Sequence, residues 1–117
     1  MLNGLATDIH QENVDAGWWT DLETGKSLLR NKGELIALMH SELSECLEGV
    51  RKGCPDDKLP HRRMEEVELA DVIIRICDYA GAYGIDLDGA IAEKREFNKR
   101  RADHSKESRA AEGGKKF

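Results

Sequence analysis

The sequence predicts an all-α protein, an antiparallel helical bundle of about three long helices plus a short N-terminal helix, completed by oligomerisation. Two observations carry this. Leu, Ile, Val and Met recur at helical spacing in long blocks, and two prolines in 117 residues are too few for many short strands and turns. A third observation concerns cover. One block is apolar around almost its whole circumference, so its helix belongs in the middle of a bundle and needs more neighbours than one short chain supplies.

The elements follow in order. Residues 2–15 carry Leu2, Leu5, Ile9 and a late Val14 and predict a short amphipathic helix. The segment from Asp15 to Trp19 ends it, and residues 20–31, with Gly25, read as a loop or a weak helical turn. A strong helix is predicted over 33–52. Residues 53–60 form a loop bounded by Gly53, Pro55 and Pro60. A second strong helix is predicted over 61–83 and is stopped by Gly84. Asp86 or Asp88 caps a third that runs to about Arg101. One helical domain, 1–101, is expected. Residues 102–117 form a polar tail without periodicity, expected to be mobile or to dock on another subunit.

Composition excludes several classes. Net charge is −5, from 18 Lys+Arg and 23 Asp+Glu, which argues against a general nucleic-acid coat. Charged residues make up 35% of the chain and no apolar run approaches ~18 residues, which argues against a spanning helix. The first residues have neither a basic start nor an apolar run, so no secretory signal is read there. Cys46, Cys54 and Cys77 are odd in number and contain no CxxC, so neither a disulfide framework nor a zinc knuckle is suggested. A reducing, cytoplasmic compartment fits them best.

Chemistry enters through acids on apolar faces. At ~100° per residue, Leu35, Leu38, Met39, Leu43, Cys46, Leu47 and Val50 share one broad sector of the first strong helix. Glu42 falls inside that sector and Glu45 at its edge. A carboxylate there is expensive unless it is paired or binds a cation. The second strong helix has one narrow polar stripe, holding Glu68, Asp71, Arg75 and Asp78. Glu42-x-x-Glu45 and Glu68-x-x-Asp71 share a spacing that stacks each pair on one helix face. Facing each other across a hairpin, the four would repel unless neutralised. Mg²⁺ or Mn²⁺, hard cations with oxygen ligands, would serve. No His stands in either pair, so the Glu-x-x-His pattern of a di-iron bundle is absent. The competing reading is ordinary ion pairing with Arg51, Arg62, Arg63 and Arg75. Asp78 reads either as a fifth ligand or as a partner for Arg75, the partner being favoured.

With ExxE at 42–45, ExxD at 68–71 and KxxxN at Lys94–Asn98, extended by Arg101, the chain resembles the MazG-like all-α nucleoside triphosphate pyrophosphohydrolases over residues 33–101. It has Ser41 where that family often carries a further acid. The resemblance implies Mg²⁺-dependent cleavage between the α and β phosphates, giving a monophosphate and pyrophosphate, by a homodimer or homotetramer. It implies metal ligation by Glu42, Glu45, Glu68 and Asp71, with Glu45 a candidate for orienting or deprotonating the attacking water. Lys94, Asn98 and Arg101 lie at i, i+4 and i+7 on one helix face and are suited to hold the phosphates and steady the leaving pyrophosphate, with Lys94 counted among the catalytic residues. The alternative for these three is a solvated basic face. Lys58 and His61, beside Arg62, could reach the phosphate tail or simply form a polar turn. Of Trp18 and Trp19, one is expected to stack on the nucleobase and the other to anchor the first helix or an interface. The alternatives are a specialised phosphoribosyl-ATP-type pyrophosphohydrolase, or a catalytically silent helical dimer that binds a partner. Neither a nucleic-acid nor a membrane partner is expected.

Overall fold

Each long helix begins and ends on a local signal, and those signals decide where the functional side chains stand. The computed structural model describes residues 1–117, except for the side chain of Ala102. Five α-helices are described: α1 Leu2–Asp15, α2 Lys32–Lys52, α3 Met64–Tyr83, α4 Leu87–Arg100 and α5 Lys106–Ala110, with a 3₁₀ turn at Ala102–His104 between the last two. No strand occurs among the described residues, and no helix is long and apolar enough to cross a membrane. The fold is all-α, as the periodicity predicts.

The Asn31 side chain accepts the Glu34 backbone N–H at 3.0 Å and starts α2. Gly53 ends it at φ 62°, a left-handed conformation that donates its N–H to the Gly49 carbonyl. Gly84 ends α3 in the same way, at φ 63°. Asp86, rather than Asp88, caps α4, accepting the Gly89 N–H at 2.9 Å.

The start of α3 differs from the expectation of His61. Residues 55–63 are held as a closed loop instead. Pro55 and Arg63 form an isolated antiparallel bridge, and the Asp56 N–H donates to the Arg62 carbonyl at 2.9 Å. Asp56, only 5% exposed, accepts the backbone N–H groups of Lys58 and Leu59 at 3.0 and 2.8 Å. These bonds draw His61, Arg62 and Arg63 into the turn, so helical geometry begins at Met64.

The chain divides into two units, Met1–Ile85 and Asp86–Phe117. In the first, α3 packs against both α1 and α2, as expected for the helix that is apolar nearly all round. Its core is Ala6 and Ile9 from α1, Leu35 and Cys46 from α2, and Cys77 and Ala80 from α3. The approach of α1 to α3 depends on Gly81. A Cβ there would lie 2.6 Å from the Ala6 carbonyl oxygen and 2.6 Å from the His10 Cβ. Between α1 and α2, Thr20 and Ser27 form a bridge, while Asp21 accepts the N–H groups of Glu23 and Thr24. This turn sends the chain back over α1.

Part of the hairpin is left bare. Ile36, Leu43, Leu47 and Val50 of α2 and Leu69 and Ile73 of α3 are 43–59% exposed. The four on α2 fall within an arc of about 60°.

In the second unit, α4 groups with the C-terminal segment. That segment is folded on itself. Ser105 caps α5 by accepting the Ser108 N–H at 3.1 Å. The Arg109 guanidinium donates to the carbonyls of Lys115 and Lys116, and the Lys116 ammonium donates back to the Arg109 carbonyl. A five-residue helix is too short to leave an apolar period in the sequence.

A carboxylate trio beside a cavity

Helical pitch puts Glu68 and Asp71 one above the other on α3, and the hairpin brings Glu42 of α2 to meet them. One oxygen from each of these three lies within 4.8 Å of the others. The Glu42 side chain is only 15% exposed. Arg75, one turn beyond Asp71, donates to its Oε1 from Nε at 3.0 Å and from a terminal nitrogen at 2.9 Å. Arg75 therefore neutralises one acid of the trio.

The remaining charge is managed by protons. Burial is the main reason the Glu68 carboxyl is pushed up to about 7, followed by a hydrogen bond to Glu42 and the charges of Glu42, Asp71 and Glu45. Asp71 is also raised, first by burial and then by Glu42; Arg75 opposes this and Asp56 adds to it. Glu45 is exposed and stands outside the trio, though its charge acts on Glu68.

A cavity of about 470 Å³ adjoins the trio. The hairpin lines it with Leu38, Glu42, Asp71, Ile74, Arg75 and Asp78, while α1 and the segment after it contribute Asn13, Trp18 and Arg30. Asp78 does not pair with Arg75, the partner favoured from the sequence. It is 8% exposed, and its Oδ1 meets His10 Nδ1 at 2.8 Å and the Trp19 indole N–H at 3.0 Å. Arg75 turns to Glu42 instead. The tryptophans divide their work. Trp19 ties the loop to α3 through Asp78 and makes edge contacts with His10 and Tyr83. Trp18 is 66% exposed and lines the cavity.

Lys58 and His61 are exposed on the closed loop and do not line this cavity, and Arg62 pairs with Glu66 at 3.2 Å. The loop acts on the trio through Asp56, an acid whose role as a turn former is signalled only by the Pro-Asp-Asp sequence. On α4, Lys94 lies 4.8 Å from the centre of the Phe97 ring, and the Asn98 Oδ1 is buried without a hydrogen-bond partner. Arg101 lies just past the end of α4 and pairs with Asp103 at 3.0 Å.

Asn13, Arg30, His10 and Asp56 are the polar residues around this site that sequence reasoning passed over. Arg30 and Asn13 lie on no periodic acidic or basic pattern. Their role comes from contacts between distant parts of the chain.

No family model, curated protein or solved structure matches this chain.

Proposed function

We propose that this chain is a Mg²⁺-dependent nucleoside triphosphate pyrophosphohydrolase, cleaving between the α and β phosphates to give a nucleoside monophosphate and pyrophosphate. The observation that carries this reading is the trio Glu42, Glu68 and Asp71, with oxygens within 4.8 Å of one another beside a 470 Å³ cavity. Cavities of roughly 300–1,000 Å³ take ligands of this size.

The donor set fits a hard divalent cation. All three groups are carboxylates, they come from two packed helices, and a single arginine leaves them with surplus negative charge. When bound, Mg²⁺ supplies positive charge for the triphosphate and a lowered pKa for an attacking water. Glu42, Glu68 and Asp71 would hold the ion. Glu45, exposed beside them, is the candidate for orienting the water and taking its proton. Arg75, which lines the cavity beside Glu42, would offer its remaining N–H groups to a phosphate oxygen. Lys94, Asn98 and Arg101 are assigned to the phosphate tail on the family resemblance alone.

The bare apolar face of α2 and α3 supports self-association as a homodimer or homotetramer. It equally favours a second reading, a partner-binding helical module without catalysis. The three free cysteines suit a reducing, cytoplasmic setting.

The test is incubation with a panel of ribo- and deoxyribonucleoside triphosphates and Mg²⁺, with the products separated by ion-exchange chromatography. Pyrophosphate and monophosphate are expected, and should vanish in chelator and in a folded Asp71→Asn variant. Orthophosphate as the first product contradicts the cleavage point. An inert panel leaves the partner-binding module as the reading.

A further inference from the structure

Resting on that reading, we infer that the end of the cavity away from the trio selects a 6-oxopurine, a guanine- or hypoxanthine-type base, through the Arg30 guanidinium, with Trp18 as the stacking platform. Three features of the structure carry this.

The first is distance along α3. Asp78 lies seven residues beyond Asp71, about 10 Å at 1.5 Å per residue. Asp78 holds the Trp19 indole at 3.0 Å, and the Arg30 guanidinium carbon sits 5.0 Å from the centre of a Trp19 ring. The Arg30 carbonyl also accepts the Tyr83 hydroxyl at 3.5 Å, so Arg30 belongs to the Asp78–Tyr83 half of α3 and not to the half that carries the carboxylates. A nucleotide whose phosphates sit at the trio extends its base over a distance of that order.

The second is how Arg30 is held and what it lacks. The buried Asp78 fixes Trp19, and the face of Trp19 supports the guanidinium. Among the described residues no carboxylate pairs with Arg30, and the Asn13 side-chain amide has no hydrogen-bond partner, yet both line the cavity. These are oriented polar groups with unused hydrogen-bonding capacity in a recess.

The third is the chemistry of the fork. A guanidinium offers two parallel N–H donors and no acceptor. The O6/N7 edge of a 6-oxopurine presents two acceptors, the arrangement arginine reads in guanine. Adenine places an amino donor at the same position and turns it against the guanidinium. Trp18, exposed on the adjacent position of the chain, offers a ring face to whichever base enters.

The experiment compares kcat/KM for GTP, ITP, ATP, CTP and UTP with the full-length protein and Mg²⁺, by pyrophosphate release. Alongside it, GMP and AMP are titrated without metal while tryptophan fluorescence is followed. GTP and ITP should exceed ATP by about tenfold or more, and GMP should quench fluorescence at lower concentration than AMP. Arg30→Gln should bring the GTP:ATP ratio toward one. Arg30→Lys, which keeps the charge but loses the fork, should do the same. Trp18→Ala should weaken both purines by similar factors. Equal kcat/KM for GTP and ATP overturns the inference while leaving the hydrolase intact. So does a ratio that survives Arg30→Gln while all turnover falls, which would place Arg30 on the phosphates. Selective quenching by GMP with no pyrophosphate from any nucleotide would instead sink the hydrolase and keep the base site.

Discussion

Replacing Glu68 with Gln removes the charge that the trio least tolerates and keeps a side chain able to hydrogen-bond Glu42. The Glu68 carboxyl titrates near 7 in the folded chain against an ordinary value of 4.5. Below pH 4.5 the group is protonated whether the chain is folded or unfolded, and no penalty arises. Between 4.5 and about 7 the unfolded chain gives up its proton while the folded chain keeps it, so folding weakens as pH rises. Above 7 the penalty is complete and constant. At about 1.36 kcal/mol per pH unit the full difference is about 3.4 kcal/mol. The site is half-buried and open to a cavity, so solvent screening reduces this to about 1–2 kcal/mol. For a chain of this length that is about 4–8 °C in Tm. The assay is thermal unfolding of wild type and Glu68→Gln in chelator, from pH 4.5 to 8.5. The variant should match wild type at pH 4.5 and exceed it by that margin at pH 8. Mg²⁺ should raise the wild-type Tm at pH 8 and raise the variant's by less. Identical melting at pH 8, or a gap that does not change with pH, would refute the idea that these carboxyls are crowded together.

Three further outcomes test the scaffold. Gly81→Ala should destabilise the chain by about 1–3 kcal/mol in denaturant titration, because its methyl meets the Ala6 carbonyl and His10; an unchanged midpoint would mean α1 does not cross α3 there. Trp19→Phe removes the indole donor from a buried Asp78 and should cost about 1–2 kcal/mol in thermal unfolding, whereas an unaffected melt would deny Trp19 its anchoring role. Leu47→Lys combined with Ile73→Lys should shift the mass by light scattering to the 13.1 kDa of a single chain, and a wild type already at that mass would show that the bare face is not an interface between copies.

The helices were legible because burial repeats at the pitch of the helix. Residues 2–15 are helical over the predicted range, and α2 and α4 differ from it by a residue or so at their ends. The start of α3 was not legible, since the loop before it closes through backbone N–H groups bonded to the Asp56 carboxylate, which leave no periodic trace. Glu42, Glu68 and Asp71 could be picked out because each is a charge on a face that neighbouring residues mark as apolar. Glu45 sat at the edge of that face, and in the structure it points to solvent exposure rather than into the trio.

Asp78 shows where such reasoning ends. The sequence offers Arg75, one turn away, as its partner, but the bonds it makes go to His10 and Trp19, 68 and 59 residues distant. Which tryptophan anchors and which stays exposed, and that Arg30 rests on Trp19 at the edge of a cavity, follow from the same long-range packing. The sequence by itself determined what repeats locally: helix periods, caps, stops and acids misplaced on apolar faces. Only the tertiary structure decided pairings, because a charge takes the partner that packing brings within 3 Å, and chain order does not encode which one that is.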